Sequence, residues 1–253
     1  SQQAIDNSPF VEKLLEKDYE VIFMTQAIDE YVVQQLKEYN DKKLICATKE
    51  GLDLDTEEEK LQFKEAEKQY EKLCTIIKST LGELVSKVVI SNRMVNSPSA
   101  LVTSQYGWSA NMERIMSAQA LNHDMMARQM QGQRILELNY KHRIINSMLE
   151  KFNENENDNT VKDLIWLMYE TSIITSGYSL ARPTEFANRL NKLVELGLGL
   201  DIGEDETDEA ATDEAATDEA ATSAKENTTE STDDMPSLEA DSNEDESTME
   251  LVD

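Results

Sequence analysis

Three acidic residues alternate at Asp53, Asp55 and Glu57, the rhythm in which a calcium-binding loop begins. The loop fails at two of its later positions: Glu58 stands where the sharp turn needs glycine, and Lys64 where the bidentate glutamate belongs. The only imidazoles, His123 and His142, are isolated in the sequence and read as surface residues rather than general bases. Cys46 and Cys74 have no Cys or His at metal-ligand spacing, and read as reduced, half-buried thiols. There is no glycine-rich phosphate loop, no G-x-S-x-G and no H-E-x-x-H. The chain therefore offers no catalytic, cofactor or metal site, and the expectation is a binding protein.

Two patterns suit binding. Met112, Met116, Met125, Met126 and Met130 are five of the eleven methionines, crowded near Trp108. An exposed Met-rich face repacks against many apolar partners, although helical spacing of this kind equally suits a core. The second pattern is the terminus, Met249-Glu250-Leu251-Val252-Asp253. A terminal Asp presents two carboxylates to a basic or amide-lined groove, with Met249 and Val252 as apolar anchors.

What must position these groups is uneven along the chain. Of 51 acidic residues, 21 lie in 201–253, where Lys225 is the only base, so the tail carries −20 and the first 200 residues −7 of the total −27. Such a field disfavours nucleic-acid binding. The pentad Thr-Asp-Glu-Ala-Ala repeats at 207–211, 212–216 and 217–221, and the tail is expected to be disordered. No apolar run reaches the roughly 20 residues of a membrane helix, so no membrane partner is expected. With no signal peptide, and Ser1 in place of Met, the chain reads as a fragment of something longer.

Before the tail the pattern is helix-rich α+β. Ser8-Pro9 opens a helix carrying Phe10, Val11, Leu14 and Leu15 on one face. Tyr19–Met24 and Leu44–Thr48 read as strands around a helix marked by Ile28, Tyr31, Val32, Leu36 and Tyr39, which predicts a small parallel βαβ unit. Thr56 and Glu59 form a capping box for a long helix whose stripe is Ala66, Tyr70, Leu73, Ile77 and Leu84, interrupted by Gly82. A boundary is placed at 80–86, giving units 1–84 and 85–200.

In the second unit Lys87–Ser91 and Ala100–Ser104 are strand candidates around Asn96-Ser97-Pro98, and a helix starts at Ala110 with Met112, Ile115, Met116 and Gln119 on one side. Leu121–Gln133 is poorly periodic; Ile144, Ile145, Met148 and Leu149 mark another helix, and Asn153–Asn159 a loop. Two strong helices close the unit. Val161–Ser176 carries Leu164, Ile165, Met168, Ile173 and Ile174, and ends at Gly177; Thr184–Leu196 carries Phe186, Leu190, Leu193 and Val194, and ends at Gly197. Both are more apolar than a pair packing only on each other needs, which suits a four-helix bundle between two copies as well as burial within one domain.

Tyr106-Gly107-Trp108-Ser109-Ala110-Asn111-Met112-Glu113-Arg114-Ile115-Met116, with Ala118-Gln119-Ala120-Leu121, resembles the C-terminal domain of the 90-kDa heat-shock-protein chaperones. So do Tyr169-Glu170-Thr171 and Thr175-Ser176-Gly177-Tyr178-Ser179-Leu180. Ser8-Pro9-Phe10, Tyr19-Glu20-Val21, Ala27-Ile28-Asp29-Glu30-Tyr31 and Ala47-Thr48-Lys49-Glu50-Gly51-Leu52 resemble the end of that family's middle domain. The likeness runs over residues 7–203.

The resemblance implies a homodimer held by the last two helices, with Leu164, Ile165, Met168, Ile173, Phe186, Leu190, Leu193 and Val194 at the interface. It implies client-protein contact through Trp108, Met112, Met116, Met125 and Met126. It also implies docking of tetratricopeptide-repeat co-chaperones at Met249, Glu250, Leu251, Val252 and Asp253, where Leu251 replaces the family's usual second Glu. ATP and Mg would belong to a domain outside this chain, so no cofactor and no ATP hydrolysis are expected here. A docking tail without Lys-Asp-Glu-Leu implies the cytoplasmic branch. The alternative from composition alone is an acidic binder of basic partners such as histones.

Overall fold

The computed structural model describes residues 8–118, 130, 133–155 and 159–200, all within one unit, Ser1–Gly203. The expected disorder of the acidic tail lies outside the described residues.

The frame is a three-stranded sheet of β3 (Lys87–Ser91), β4 (Ser99–Thr103) and β5 (Arg134–Asn139), in the order β3-β5-β4. The central strand β5 runs parallel to β3 and antiparallel to β4, with Val88 opposite Leu136 and Leu101 opposite Leu136. Alternating side chains sort onto two faces. Val88, Ile90, Leu101, Leu136 and Leu138 point into the larger core; Val89, Ala100, Val102 and Ile135 point into a smaller one with Phe10, Met94 and Ala47.

Helices cover the larger face. Glu57–Leu81, here α3, starts at the Thr56/Glu59 capping box and buries Ala66, Tyr70, Leu73, Ile77 and Leu81; the expected Leu84 falls beyond the helix end, half-buried in the 3-10 turn Gly82–Leu84, and Leu81 takes its place on the stripe. Arg143–Glu154 (α5) adds Ile145, Met148, Leu149 and Phe152, and Asn159–Thr175 (α6) adds Val161, Ile165, Met168, Tyr169 and Ile173. Gly177, at φ 86°, ends α6 in a Schellman turn in which Tyr178 N–H reaches Ile173 O and Gly177 N–H reaches Ile174 O. Further α-helices among the described residues are α1 (Glu12–Glu16), α2 (Asp29–Gln35), α4 (Ala110–Ser117) and α7 (Pro183–Leu198).

Several expectations change. The parallel βαβ unit does not form. Tyr19–Met24 is not a strand, and Tyr19 and Ile22 are 53% and 66% exposed with no strand beside them among the described residues. Tyr39 leaves the helix for a hairpin, β1 (Glu38–Tyr39) against β2 (Lys42–Lys43). Its turn residues Asn40 and Asp41 both take positive φ, as a tight hairpin turn needs. Leu44–Thr48 is not a strand, although Thr48 O and Glu50 N–H bond Thr103 at the edge of β4. Leu15 is exposed, the 153–159 loop gives up Asn153 and Glu154 to α5, and α7 runs past Gly197 to end at Gly199, φ 68°. The central strand β5 was not expected at all.

Candidate functional site: the α4 face and the α6–α7 arm

Short helix α4 carries two of the expected contact methionines. Ser109 caps it: its Oγ accepts the Met112 N–H at 3.0 Å and donates to Glu30 Oε1 at 2.8 Å. Trp108, Met112 and Met116 are all half-buried, so neither a sealed core nor a bare surface describes them. Met125 and Met126 lie outside the described residues.

The turn leading into α4 is gripped from three elements. Lys49 donates its ammonium to Ser104 O at 3.3 Å and to Gly107 O. Burial holds the Lys49 amine below the ordinary lysine range, partly offset by Cys46 and Glu30 nearby. Tyr178 donates its hydroxyl to Trp108 O at 3.3 Å, and burial pushes that phenol well above its usual range. Glu113 of α4 takes a charge-assisted contact from Arg134, 2.5 Å away, and the Arg134 guanidinium lies 4.4 Å from the Tyr178 ring centroid. Gly107 fits because a Cβ there would stand 2.9 Å from Thr103 Cβ. Sequence reasoning singled out Trp108 and the methionines but missed Lys49, Glu30, Tyr178 and Arg134. These are distant in sequence, and only the fold brings them together.

The closing helices divide the expected interface residues into two groups. Ile165, Met168 and Ile173 are buried in the core of this chain, on the side turned to the sheet and α3. Leu164 and Phe186 are half-buried. Leu190, Leu193 and Val194 of α7 are 44%, 37% and 53% exposed. Leu196, Leu198 and Leu200, which sequence reasoning left out, are exposed as well.

The arm is held by Arg189, which donates to Glu170 Oε1 at 2.5 Å and lies 5.3 Å from the Trp166 ring centroid. Burial raises the Glu170 carboxyl above its ordinary range against the pull of Arg189. The third expected site, Met249–Asp253, lies outside the described residues.

Elsewhere, Asp53 and Asp55 are taken by Lys60 and Lys13. His142 accepts the Ile144 N–H through Nδ1 at the start of α5. Cys46 and Cys74 are half-buried free thiols. Among the described residues no helix is long and apolar enough to cross a membrane.

The sequence profile described as Hsp90 protein matches residues 1–231. The chain is 42% identical over 254 residues to a human protein named putative heat shock protein HSP 90-beta-3, covering 100% of this chain and 39% of that protein. It is 44% identical over 211 residues to heat shock protein 83 of Leishmania donovani, covering 83% of this chain and 46% of that protein. It is 38% identical over 209 residues to heat shock protein 90-5, chloroplastic, of Arabidopsis thaliana, covering 83% and 27%. The chain thus spans less than half the length of these relatives.

Proposed function

Since the chain belongs to the Hsp90 family of molecular chaperones, we propose that it is the dimerising, client-contacting and co-chaperone-docking portion of such a chaperone. The observation that carries this reading is the exposed apolar face of α7, Leu190, Leu193 and Val194, on an arm braced by the Arg189–Glu170 pair. Exposed leucines in a row call for a partner, and a second copy of the same face makes a closed, two-fold interface. Half-buried Trp108, Met112 and Met116 fit transient contact with unfolded clients, which need an adaptable apolar surface. Docking of tetratricopeptide-repeat partners by Met249–Asp253 rests on the residues of the tip alone.

In this reading units 1–84 and 85–200 are the end of a middle domain and a dimerisation domain. ATP and Mg act in another part of the longer protein, and this chain turns over no ATP. Relatives include a chloroplastic form, so the cytoplasmic assignment rests on the tail. The alternative, an acidic binder of histone-like partners, draws no support from these relatives. Light scattering tests the proposal. The intact chain should have the mass of a dimer, and Leu190→Glu with Val194→Glu should halve it. A monomer at tens of micromolar for the unmodified chain would overturn it.

A further inference from the structure

Glu12, at the start of α1, is gripped by the loop between β3 and β4. Val95, Asn96 and Ser97 donate their backbone N–H groups to its Oε2 at 2.7, 2.8 and 3.2 Å, and Ser97 Oγ donates to its Oε1 at 2.5 Å. Consecutive amides aimed at one oxygen make an anion-binding concavity. This one is built from behind. Asn139, 1% exposed, donates its Nδ2 to Ser97 O at 3.0 Å and its N–H to Pro98 O at 2.8 Å. The carbonyl side of the loop is thus fixed by the sheet, and Glu12 meets its amide side. Val95 is 42% exposed and Asn96 is exposed, so the loop lies at the surface.

Ser97 is followed by Pro98, which has no N–H and biases Ser97 to an extended backbone. That is the shape in which proline-directed kinases take their acceptor. The sequence holds two Ser-Pro dipeptides, Ser8-Pro9 and Ser97-Pro98. Of the two serines, Ser97 is the one whose hydroxyl meets a carboxylate among the described residues.

We infer that Ser97 is a phosphorylation site for a proline-directed Ser/Thr kinase, and that its phosphate evicts Glu12 from the three amides. In the transfer Ser97 Oγ attacks the γ-phosphorus of ATP. The new O–P bond forms as the bond to ADP breaks, and the hydroxyl proton passes to the kinase's base. The product carries about −1.5 to −2 at neutral pH. It repels the Glu12 carboxylate, and the hydroxyl donor that held Oε1 is gone. Its own oxygens then accept the Val95, Asn96 and Ser97 amides. Helix α1 loses its tie to this loop but keeps those of Lys13 to Asp55 and Glu59, and Phe10 stays in the smaller core. The first turn of α1 therefore loosens without coming away. A purely structural joint has the same contacts but a different response: a phosphate there would break the loop instead of refilling it. Neither outcome depends on the proposed chaperone role.

The test incubates the full chain with ATP and a purified proline-directed Ser/Thr kinase, maps the phosphate by mass spectrometry, and reads hydrogen exchange by NMR. Phosphate on Ser97 is expected. The α1 amides of Leu15 and Lys17, which bond to Val11 O and Lys13 O, should exchange about tenfold faster, as loss of a charged hydrogen bond predicts. The amides of Val95, Asn96 and Ser97 should stay protected by the phosphate. Glu12→Ala, which empties the loop without phosphate, should quicken both sets. Phosphorylating that variant should restore protection to the three loop amides alone. Any of three results overturns the inference: no phosphate on Ser97 of the folded chain, phosphate there with α1 exchange unchanged, or lost protection of the three loop amides on phosphorylation.

Discussion

Glu30 of α2 and Ser109, the cap of α4, are 79 residues apart in sequence and joined by a 2.8 Å hydrogen bond. The same Ser109 oxygen accepts the Met112 amide, so a carboxylate in one segment steadies the first turn of a helix in another. Glu30→Ala should cost about 1 kcal/mol, confined to this joint. Hydrogen exchange should quicken at the amides of Met112 and Glu113 while the α3 amides keep their protection. Uniform change, or none, would show that the contact does not hold α4.

The Arg93–Glu137 pair is buried on the smaller-core face of the sheet, 2.9 Å apart, and Arg93 also donates to Ala47 O and Lys49 O. Removing one partner strands a charge and the carbonyls with it. Arg93→Leu should lower the urea unfolding free energy by about 3–5 kcal/mol. Adding Glu137→Leu to that variant should recover part of the loss, whereas a double variant worse than the single would contradict the stranded-charge account.

Acid should loosen the start of α3. The Thr56 amide, then Lys17 and Lys13, hold the Glu59 carboxyl down to about 2 from an ordinary 4.5. A depressed carboxyl stabilises the fold above its unfolded value and loses that contribution as pH falls through the folded one, so the window is pH 4.5 to 2. Thermal melts across that window should decline less steeply for Glu59→Gln, which keeps an acceptor for the Thr56 amide. Parallel slopes in the two proteins would count against it.

At Gly107 the obstacle is packing. A methyl there meets Thr103 Cβ at 2.9 Å and Gln133 Cβ at 3.3 Å, both beside ends of paired strands. Gly107→Ala should destabilise by about 1–3 kcal/mol and dull the Trp108 fluorescence response to burial. A melt within a degree of the parent would mean that the turn relaxes freely.

Ile165 and Val194 separate core from surface within one helix arm. Ile165→Ala should cost about 2–5 kcal/mol in chemical unfolding, because the side chain is fully buried. Val194→Ala should cost under about 0.5 kcal/mol in a dissociated chain, as an exposed site does. Equal losses in dilute samples would place Val194 in the core as well.

The sequence by itself determined the local features. The capping box at Thr56 and Glu59, the α3 stripe, β3 at Lys87–Ser91 and the Gly177 stop are all readable because each depends on neighbours within about one or two helical turns or on alternation along one strand. The Asn40–Asp41 turn was equally local, and reading it would have replaced the false βαβ unit with a hairpin. Tyr19–Met24 has strand-forming residues but no strand beside it among the described residues, and a strand is stable only in a sheet.

Only the tertiary structure decided β5. Arg134 and Glu137 give Arg134–Asn139 a polar look, yet every residue in it is buried, since Glu113 and Arg93 arrive from elsewhere to neutralise the two charges. It likewise decided which side of α6 faces inward. Apolar periodicity marks a stripe without saying what lies against it, so Ile165, Met168 and Ile173 went to the sheet and α3, while Leu190, Leu193 and Val194 were left exposed on α7.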